Sequence, residues 1–289
     1  MSAEEVEAID GTRCASCGIA ANDDVKLKNC TACHLVKYCG VKCQREHRPQ
    51  HKRACKKRAA ELHDEILFKQ PESTHLGDCP ICCLPLPLDG KASSLMACCS
   101  QQICKGCGYS NAMREIKENV VERCPFCRHP TPKTQEEAVK DFMRRVGSND
   151  PAALREFGTR CHSEGDHVSA IEQWTKAAEL GDADAHYQLF CVVKDTKKAI
   201  NHAEQAAIGG HPGARYYLGC EESRNHRIER AVKHWIIAAN LGHDDSLETL
   251  RKGYAVGSLS KEDFAAALRA HQAALVLQKS AKRDSRRNF

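Results

Sequence analysis

Pairs of cysteines separated by two residues carry the clearest chemistry in this sequence. Three such pairs and one adjacent Cys-Cys doublet lie between Asp78 and Arg128, giving eight thiols in four half-sites, with Cys83 left over. Both sulfurs of a C-x-x-C pair can face one point, and two half-sites complete a tetrahedral Zn²⁺ site. The stretch therefore predicts two zinc ions, with the candidate ligands Cys79, Cys82, Cys98, Cys99, Cys104, Cys107, Cys124 and Cys127.

A second ligand-rich stretch covers residues 14–55 and predicts two further zinc ions. Its eight candidate ligands are Cys14, Cys17, Cys30, Cys33, Cys39, Cys43, His51 and Cys55. Positions 43, 47, 51 and 55 follow at steps of four, so they lie along one helix face, which we expect to lead into a helix over Lys56–Lys69. We interpret His47 as a surface residue. Four protein ligands per ion leave no open coordination position, so all four Zn²⁺ are predicted to be structural and hydrolytic metal chemistry is not expected.

Fifteen of the nineteen cysteines are interpreted as metal ligands because the sequence does not resemble that of a secreted protein. Met1–Asp10 is acidic and polar, unlike a secretory signal, and no run of eighteen apolar residues predicts a transmembrane helix. We expect an intracellular protein, cytoplasmic or nuclear and without membrane association, whose thiols stay reduced. Fifteen zinc-bound thiolates and four Zn²⁺ would lower the formal net charge from +5 to −2, so the basic pI does not argue for nucleic-acid binding.

The stretch Cys79–Arg128 resembles a RING finger in an all-cysteine variant. RING fingers bind two zinc ions in a cross-brace, in which alternating half-sites share a metal. The resemblance implies one zinc at Cys79, Cys82, Cys104 and Cys107, and the other at Cys98, Cys99, Cys124 and Cys127. The family usually has a residue between its third and fourth ligands, whereas Cys98 and Cys99 are adjacent. We interpret the spare Cys83 as a small, buried apolar side chain.

Resemblance to RING-type ubiquitin ligases also implies a docking surface for a ubiquitin-conjugating enzyme. In that family, apolar residues lie beside the second ligand, on a short helix and after the seventh ligand, and a basic residue follows the last ligand. The candidates at those places are Ile81, Met113 or Ile116, Pro125 and Arg128. The Trp that is common on the docking helix is absent. Such a ligase catalyses by positioning its partner's thioester, so no covalent catalytic residue is predicted.

The stretch at residues 14–55 closely resembles a MYND zinc finger, through its two C-x-x-C pairs, Tyr38-Cys39-Gly40, Cys43-Gln44 and the final His-x-x-x-Cys. The resemblance implies one zinc at Cys14, Cys17, Cys39 and Cys43, and another at Cys30, Cys33, His51 and Cys55. MYND fingers are protein-interaction modules, often for proline-containing peptides. Arg48 stands where the family often has Trp.

Basic residues are concentrated in the second half of this stretch. Lys37–Arg58 contains nine Lys or Arg residues and one acidic residue. We interpret it as a solvated helix face whose charge offsets the two zinc–thiolate centres. The alternative is a patch for acidic partners or nucleic acid, although no aromatic residues are interleaved for base stacking.

A repeat follows the cysteine-rich half. The alanine pairs at 177–178, 206–207 and 238–239 lie 29 and 32 residues apart, a period typical of a helical solenoid. Trp174 and Trp235 take equivalent places, and glycines follow the alanine pairs. This part resembles Sel1-like repeats, relatives of the TPR family, over roughly residues 152–275. We interpret the histidines within Cys161–His243 as surface or helix-packing residues.

The predicted fold is multidomain: two small zinc-stabilised α+β or irregular fingers, followed by an all-α Sel1-like solenoid. The predicted segments are a disordered lead (1–12), a MYND-type finger (13–56), a helix and linker (57–77), a RING-type finger (78–130), the solenoid (134–280) and a basic tail (281–289). We expect loss of zinc to unfold the chain through Pro130 and to leave the solenoid helical.

The function indicated is a zinc-binding adaptor with protein partners, acting as a RING-type ubiquitin ligase that recruits substrates through its MYND and Sel1-like parts. The alternative is a non-catalytic interaction scaffold, favoured by the Cys98-Cys99 doublet and by the missing docking-helix Trp. A nucleic-acid regulator that uses the basic patch is the third and least favoured alternative. Because the first alternative is catalytic and the second is not, the sequence leaves open whether the chain is an enzyme.

Overall fold

The computed structural model describes residues 12–286 of the chain. They fall into two compact units, one ending at Lys69 and the other beginning at Gln70. The predicted lead thus lies outside the described residues except for Thr12, and the end of the predicted basic tail, residues 287–289, also lies outside them. None of the helices in the described range is both long and apolar enough to cross a membrane.

The first unit is built from a small hairpin and one long helix. Strand β1, Lys28–Asn29, pairs antiparallel with strand β2, Lys37–Tyr38, and helix α1 follows at Val41–Leu67. Its small core consists of Val36 and Tyr38 packed among buried cysteines. Helix α1 is continuous, so it contains both the ligand positions near its start and most of the helix expected over Lys56–Lys69. Pro49 lies inside it.

The second unit begins with another cysteine-rich module, residues 78–130. A short 3₁₀ helix, Gly90–Ala92, precedes strand β3, Ser93–Leu95, which pairs antiparallel with strand β4, Gln102–Cys104. Helix α2, Lys105–Glu118, follows directly, with the Cys104 sulfur accepting the Cys107 N–H at its start. Leu86 and Ile103 form the apolar core together with buried cysteines.

An all-helical region makes up the rest of the second unit. Its helices begin at caps that the sequence supplies: Thr134 accepts the N–H of Glu137, and Asp150 accepts that of Ala153. The helices are α3 Gln135–Gly147, α4 Pro151–Ser163, α5 His167–Glu179, α6 Ala183–Val192, α7 Thr196–Ile208, α8 Pro212–Arg224, α9 Ile228–Asn240, α10 Asp244–Ala255 and α11 Lys261–Arg286. The last helix continues to Arg286, past the predicted end of the solenoid at residue 280.

These helices pack as successive pairs, α4 with α5, α6 with α7, and α8 with α9, and α10 then packs against α11. The alanine pairs at the ends of α5, α7 and α9 are buried. Their small side chains let the neighbouring helices approach closely. A Cβ placed on Gly158 would lie 2.7 Å from Cδ1 of Trp174, and one on Gly219 would lie 2.6 Å from Cδ1 of Trp235. The same glycine–tryptophan contact thus recurs in two helix pairs, as the sequence period suggests.

Residues 70–76, which the sequence analysis assigned to a linker, lie directly against the helix pairs. The backbone N–H of His75 donates to the carbonyl of Gly210 at 3.1 Å, and Asn240 donates to the Gln70 side chain at 3.0 Å. At the other end of this segment, Leu76 packs onto the core of the cysteine-rich module. Further contacts join that module to α3, through Arg145 with Ser100 and His129 with Asp141. Helix α2 also packs against α11.

Candidate metal centres

Four turns of the same shape present half of the candidate ligands. In each, the N–H four residues after the first cysteine donates to that cysteine's carbonyl, as Gly18 does to Cys14 and Arg128 to Cys124. The donor residue has a positive φ in every case: Gly18, His34, Cys83 and Arg128. This left-handed residue turns the chain so that both sulfurs of a C-x-x-C pair point the same way.

The shared turn explains Cys83, for which the sequence interpretation was wrong. Cys83 is exposed rather than buried, and it occupies the left-handed position that follows the second ligand of its turn. It therefore belongs to the backbone of the turn and lies outside the four ligand groups.

In the first unit the structure brings the eight candidate ligands together in two groups. One contains Cys14, Cys17, Cys39 and Cys43, and the other contains Cys30, Cys33, His51 and Cys55. Within each group all ligand atoms lie within 4.8 Å of one another. Half-sites alternate along the chain, so the hairpin and the start of α1 are tied together at two points.

The module at residues 78–130 has the same interleaved arrangement. Cys79, Cys82, Cys104 and Cys107 form one group, and Cys98, Cys99, Cys124 and Cys127 form the other. The adjacent pair Cys98 and Cys99 faces the second turn, with sulfur separations of 3.4 Å from Cys98 to Cys127 and 3.9 Å from Cys99 to Cys124. The Cys-Cys doublet therefore serves as a half-site despite its spacing.

The distances within the groups fit zinc. Sulfurs bound tetrahedrally to one Zn²⁺ at about 2.3 Å lie about 3.8 Å apart. The observed separations are 3.6 Å for Cys17 and Cys39, 3.8 Å for Cys30 and Cys55, and 3.8 Å for Cys82 and Cys104. No disulfide is formed by any cysteine in the described range.

The pKa values of the cysteines within a group also indicate a site suited to a cation. Burial raises the pKa of Cys79, but backbone N–H groups, led by that of Cys104, outweigh it and bring the value to about 7. In the same group, burial and the Cys79 sulfur raise the pKa of Cys104 to about 11, although Cys107 lowers it, and burial and the Cys104 sulfur raise the pKa of Cys107. One thiolate thus suppresses ionisation of the others, and a bound divalent cation removes this repulsion.

A histidine that the sequence analysis placed on the surface supports the second group of the first unit. His47 is partly buried, its Nδ1 lies 3.1 Å from the hydroxyl of buried Tyr38, and its ring stacks on that of His51 at 5.6 Å. It orients the ligand His51 without joining a ligand group. The sequence feature that could have indicated this role is the position of His47, four residues from both Cys43 and His51.

A fifth group of potential ligands, missed from the sequence, joins His75, Asp184 and His211. Hydrogen bonds and ion pairs account for Asp184 and His211 without a metal, whereas Nδ1 of His75 is buried with no hydrogen-bond partner among the described residues. His211 caps α8, accepting the Ala214 N–H at Nδ1, so its neutral ring carries the proton on Nε2, which faces Asp184 at 3.5 Å. Arg155 pairs with the other oxygen of Asp184 at 3.0 Å. A metal at Nε2 would need the opposite tautomer.

The residues proposed for partner docking are only partly brought together. Ile81, Pro125 and Arg128 line one groove of about 300 Å³ beside the first zinc group of the module, along with Asn111. Arg128 is held there by a 3.2 Å hydrogen bond from its guanidinium to the Asn111 side chain. Met113 and Ile116 are exposed on α2 but do not line this groove.

Comparison with known proteins identifies the first module. Residues 14–55 match the family model of the MYND finger. No curated protein matches the chain. The match covers the two ligand groups of the first unit and none of the second unit.

Proposed function

We propose that this chain, whose first module is a MYND finger, is an intracellular adaptor in which residues 78–130 act as a RING-type ubiquitin ligase. The first finger and the helix pairs, proposed to be Sel1-like repeats over residues 134–280, recruit protein partners. The two ligand groups of the second module support this proposal, because they alternate along the chain as in a cross-brace. Four structural zinc ions complete the fold.

One observation carries the ligase proposal. An exposed apolar side chain (Ile81), a proline (Pro125) and a fixed cation (Arg128) share one groove although they come from two turns far apart in sequence. The apolar pair can hold a loop of a conjugating enzyme, and the planar guanidinium can bridge two acceptors at once. Arg128 is already oriented by Asn111, so less side-chain freedom is lost on binding.

The proposed activity needs no nucleophile or acid–base residue in this chain. The conjugating enzyme brings its own thioester, and the groove would restrict that complex to a reactive geometry. The zinc ions fix the turns that carry Ile81 and Arg128, so their contribution is positional. Met113 and Ile116 would extend the contact from the exposed side of α2.

The test is an autoubiquitination assay with a panel of conjugating enzymes, using full-length protein verified to contain four zinc ions. We expect the wild type to form ubiquitin chains, and the variants Ile81→Ala and Arg128→Ala to form clearly fewer of them. Val168→Ala, which removes an exposed apolar side chain on α5, is the matched control. Chain formation that is indifferent to Ile81 and Arg128 would contradict docking at this groove.

The second candidate is a scaffold without ligase activity. The missing Trp on α2 and the packing of α2 against α11 favour it. A zinc-loaded protein that yields no chains with any conjugating enzyme would leave the scaffold as the better account.

A further inference from the structure

The exposed side of α1 carries a line of cations in the MYND finger. Arg48, Lys52 and Lys56 follow at steps of four residues, so they lie on one face of the helix, and all three are exposed. In the described part of the chain none of them forms an ion pair or a side-chain hydrogen bond, whereas Arg58 pairs with Glu61 and Glu65. The line is therefore free to meet an external anion.

The charge of the zinc centres accounts for only part of this basic surface. A Cys₄ site with Zn²⁺ carries −2 and a Cys₃His site carries −1. Lys37–Arg58 carries nine basic residues and one acidic residue, a net +8. Arg58 is already paired with Glu61 and Glu65, so about four positive charges remain over residues 37–57 after both centres are offset.

A groove borders the same three cations. It has a volume of about 220 Å³. Besides the cations it is lined by Ala32, Tyr38, Gln44 and Ala59, and by three candidate ligands of the second group, Cys30, His51 and Cys55. That volume takes one or two apolar side chains and is too small for a folded partner's core. Charge on one edge and apolar lining on the floor suit a peptide segment.

We propose that this groove binds an extended acidic peptide of a partner protein, with carboxylates at alternate positions along Arg48, Lys52 and Lys56. Four residues of helix rise about 6.0 Å, and two residues of an extended chain rise about 6.6–6.8 Å, so successive carboxylates match successive cations. The intervening side chains point the other way, toward the groove. This inference deepens the interaction role proposed for the first finger and does not depend on ligase activity.

The test uses full-length, zinc-loaded protein and two labelled hexapeptides of identical composition, followed by fluorescence anisotropy. One alternates glutamate and valine; the other has three glutamates followed by three valines. We expect the alternating peptide to bind more tightly. Three exposed ion pairs together are worth roughly tenfold in affinity, so Arg48→Glu/Lys52→Glu/Lys56→Glu is expected to weaken binding by at least about tenfold.

The control reverses three other exposed cations of α1 that do not line the groove, Lys42→Glu/Arg53→Glu/Lys57→Glu, which changes the net charge equally. It should leave most of the affinity, and both variants must retain zinc, because Lys52 and Lys56 adjoin ligands. A glutamine version of the first variant should lose affinity without added repulsion. Equal loss in both charge reversals, equal affinity of the two peptides, or no binding would overturn the proposal.

A single-stranded DNA hexamer serves as the competing ligand. If it binds more tightly than the alternating peptide and depends on the same three cations, the groove is a nucleic-acid site and the peptide proposal is wrong. Failure here leaves the ligase proposal intact, since that is measured through Ile81 and Arg128 in the other unit.

Discussion

Replacing Gly210 with alanine tests whether residues 70–76 are truly docked on the helix pairs. Gly210 has a φ of +83°, and a Cβ there would lie 2.6 Å from the carbonyl oxygen of Ser73 and 3.2 Å from the backbone nitrogen of His75. Both are backbone atoms, so the clash can be relieved only if the segment moves. Gly181 occupies the equivalent place one helix pair earlier, with a φ of +90° and no atom within 4 Å of its Cβ.

The difference between the two variants isolates the docking contact. A left-handed alanine costs about 1–2 kcal/mol at either position. Displacing the segment at Gly210 also breaks the bond from the His75 N–H to Gly210 and disturbs the His75 ring, whose centroid lies 4.2 Å from that of His211. A lost buried hydrogen bond costs about 1–3 kcal/mol. We expect Gly181→Ala to cost about 1–2 kcal/mol and Gly210→Ala, with both contributions, about 2–5 kcal/mol.

Urea unfolding of the zinc-loaded chain gives the two free energies, and hydrogen exchange followed by mass spectrometry locates the change. Gly210→Ala should speed exchange in residues 70–77, while Gly181→Ala should leave that segment protected. Equal destabilisation in both variants, with unchanged exchange at 70–77, would mean that the segment does not rest on Gly210.

Three other predictions follow from the same structure. Gly158→Ala should lower the free energy of unfolding by about 1–3 kcal/mol because its Cβ would meet Trp174, whereas Gly253→Ala, with open space around it, should be neutral or stabilising in thermal unfolding. Burial, then nearby His211, lower the pKa of His75 to about 3 from 6.5, so the folded chain binds fewer protons than the unfolded chain between these values. The stability that this site contributes is complete above pH 6.5 and decreases as the pH is lowered, by about 2 kcal/mol at pH 5. In urea titrations at several pH values, with the zinc content checked, His75→Leu should remove this dependence of the unfolding free energy on pH. An unchanged dependence would exclude His75 as its source. Zinc chelation should unfold the MYND finger and lower the melting temperature of the helix pairs, as measured by circular dichroism. An unchanged melting temperature of the helices would instead support the separable domains expected from the sequence. Metal analysis before chelation should give four zinc ions per chain.

Much of this molecule follows from short-range spacing in its sequence. A C-x-x-C pair fixes its own turn, so ligand candidates are readable without the rest of the fold. The alanine pairs and the glycines after α5, α7 and α9 likewise predict helix packing, because close approach needs small residues whatever the partner. The MYND finger was identified on such local pattern, and the family match confirms it.

Other features depend on residues that only the folded chain brings together. His75, Asp184 and His211 come from a presumed linker and two different helix starts, so neither spacing nor composition indicates their contact. The residues that follow the helix, up to residue 77, were predicted to be a linker, but lack of regular structure does not mean lack of packing. Cys83 was misjudged because burial frequency was applied where the turn's backbone geometry decides exposure.

The docked segment has a consequence for any ligase or scaffold function. Leu76 belongs to the core of the module at 78–130, and the neighbouring His75 is enclosed by His211 and Asp184 of the helix pairs. Two adjacent residues therefore anchor both parts, leaving no slack between them. Together with the contact of α2 with α11, this fixes the groove of Ile81 and Arg128 relative to the helix pairs. A partner bound on those helices would be held at a constant distance from that groove. The partner's own size and flexibility, rather than hinge motion within this unit, would therefore decide which of its residues come close to the groove.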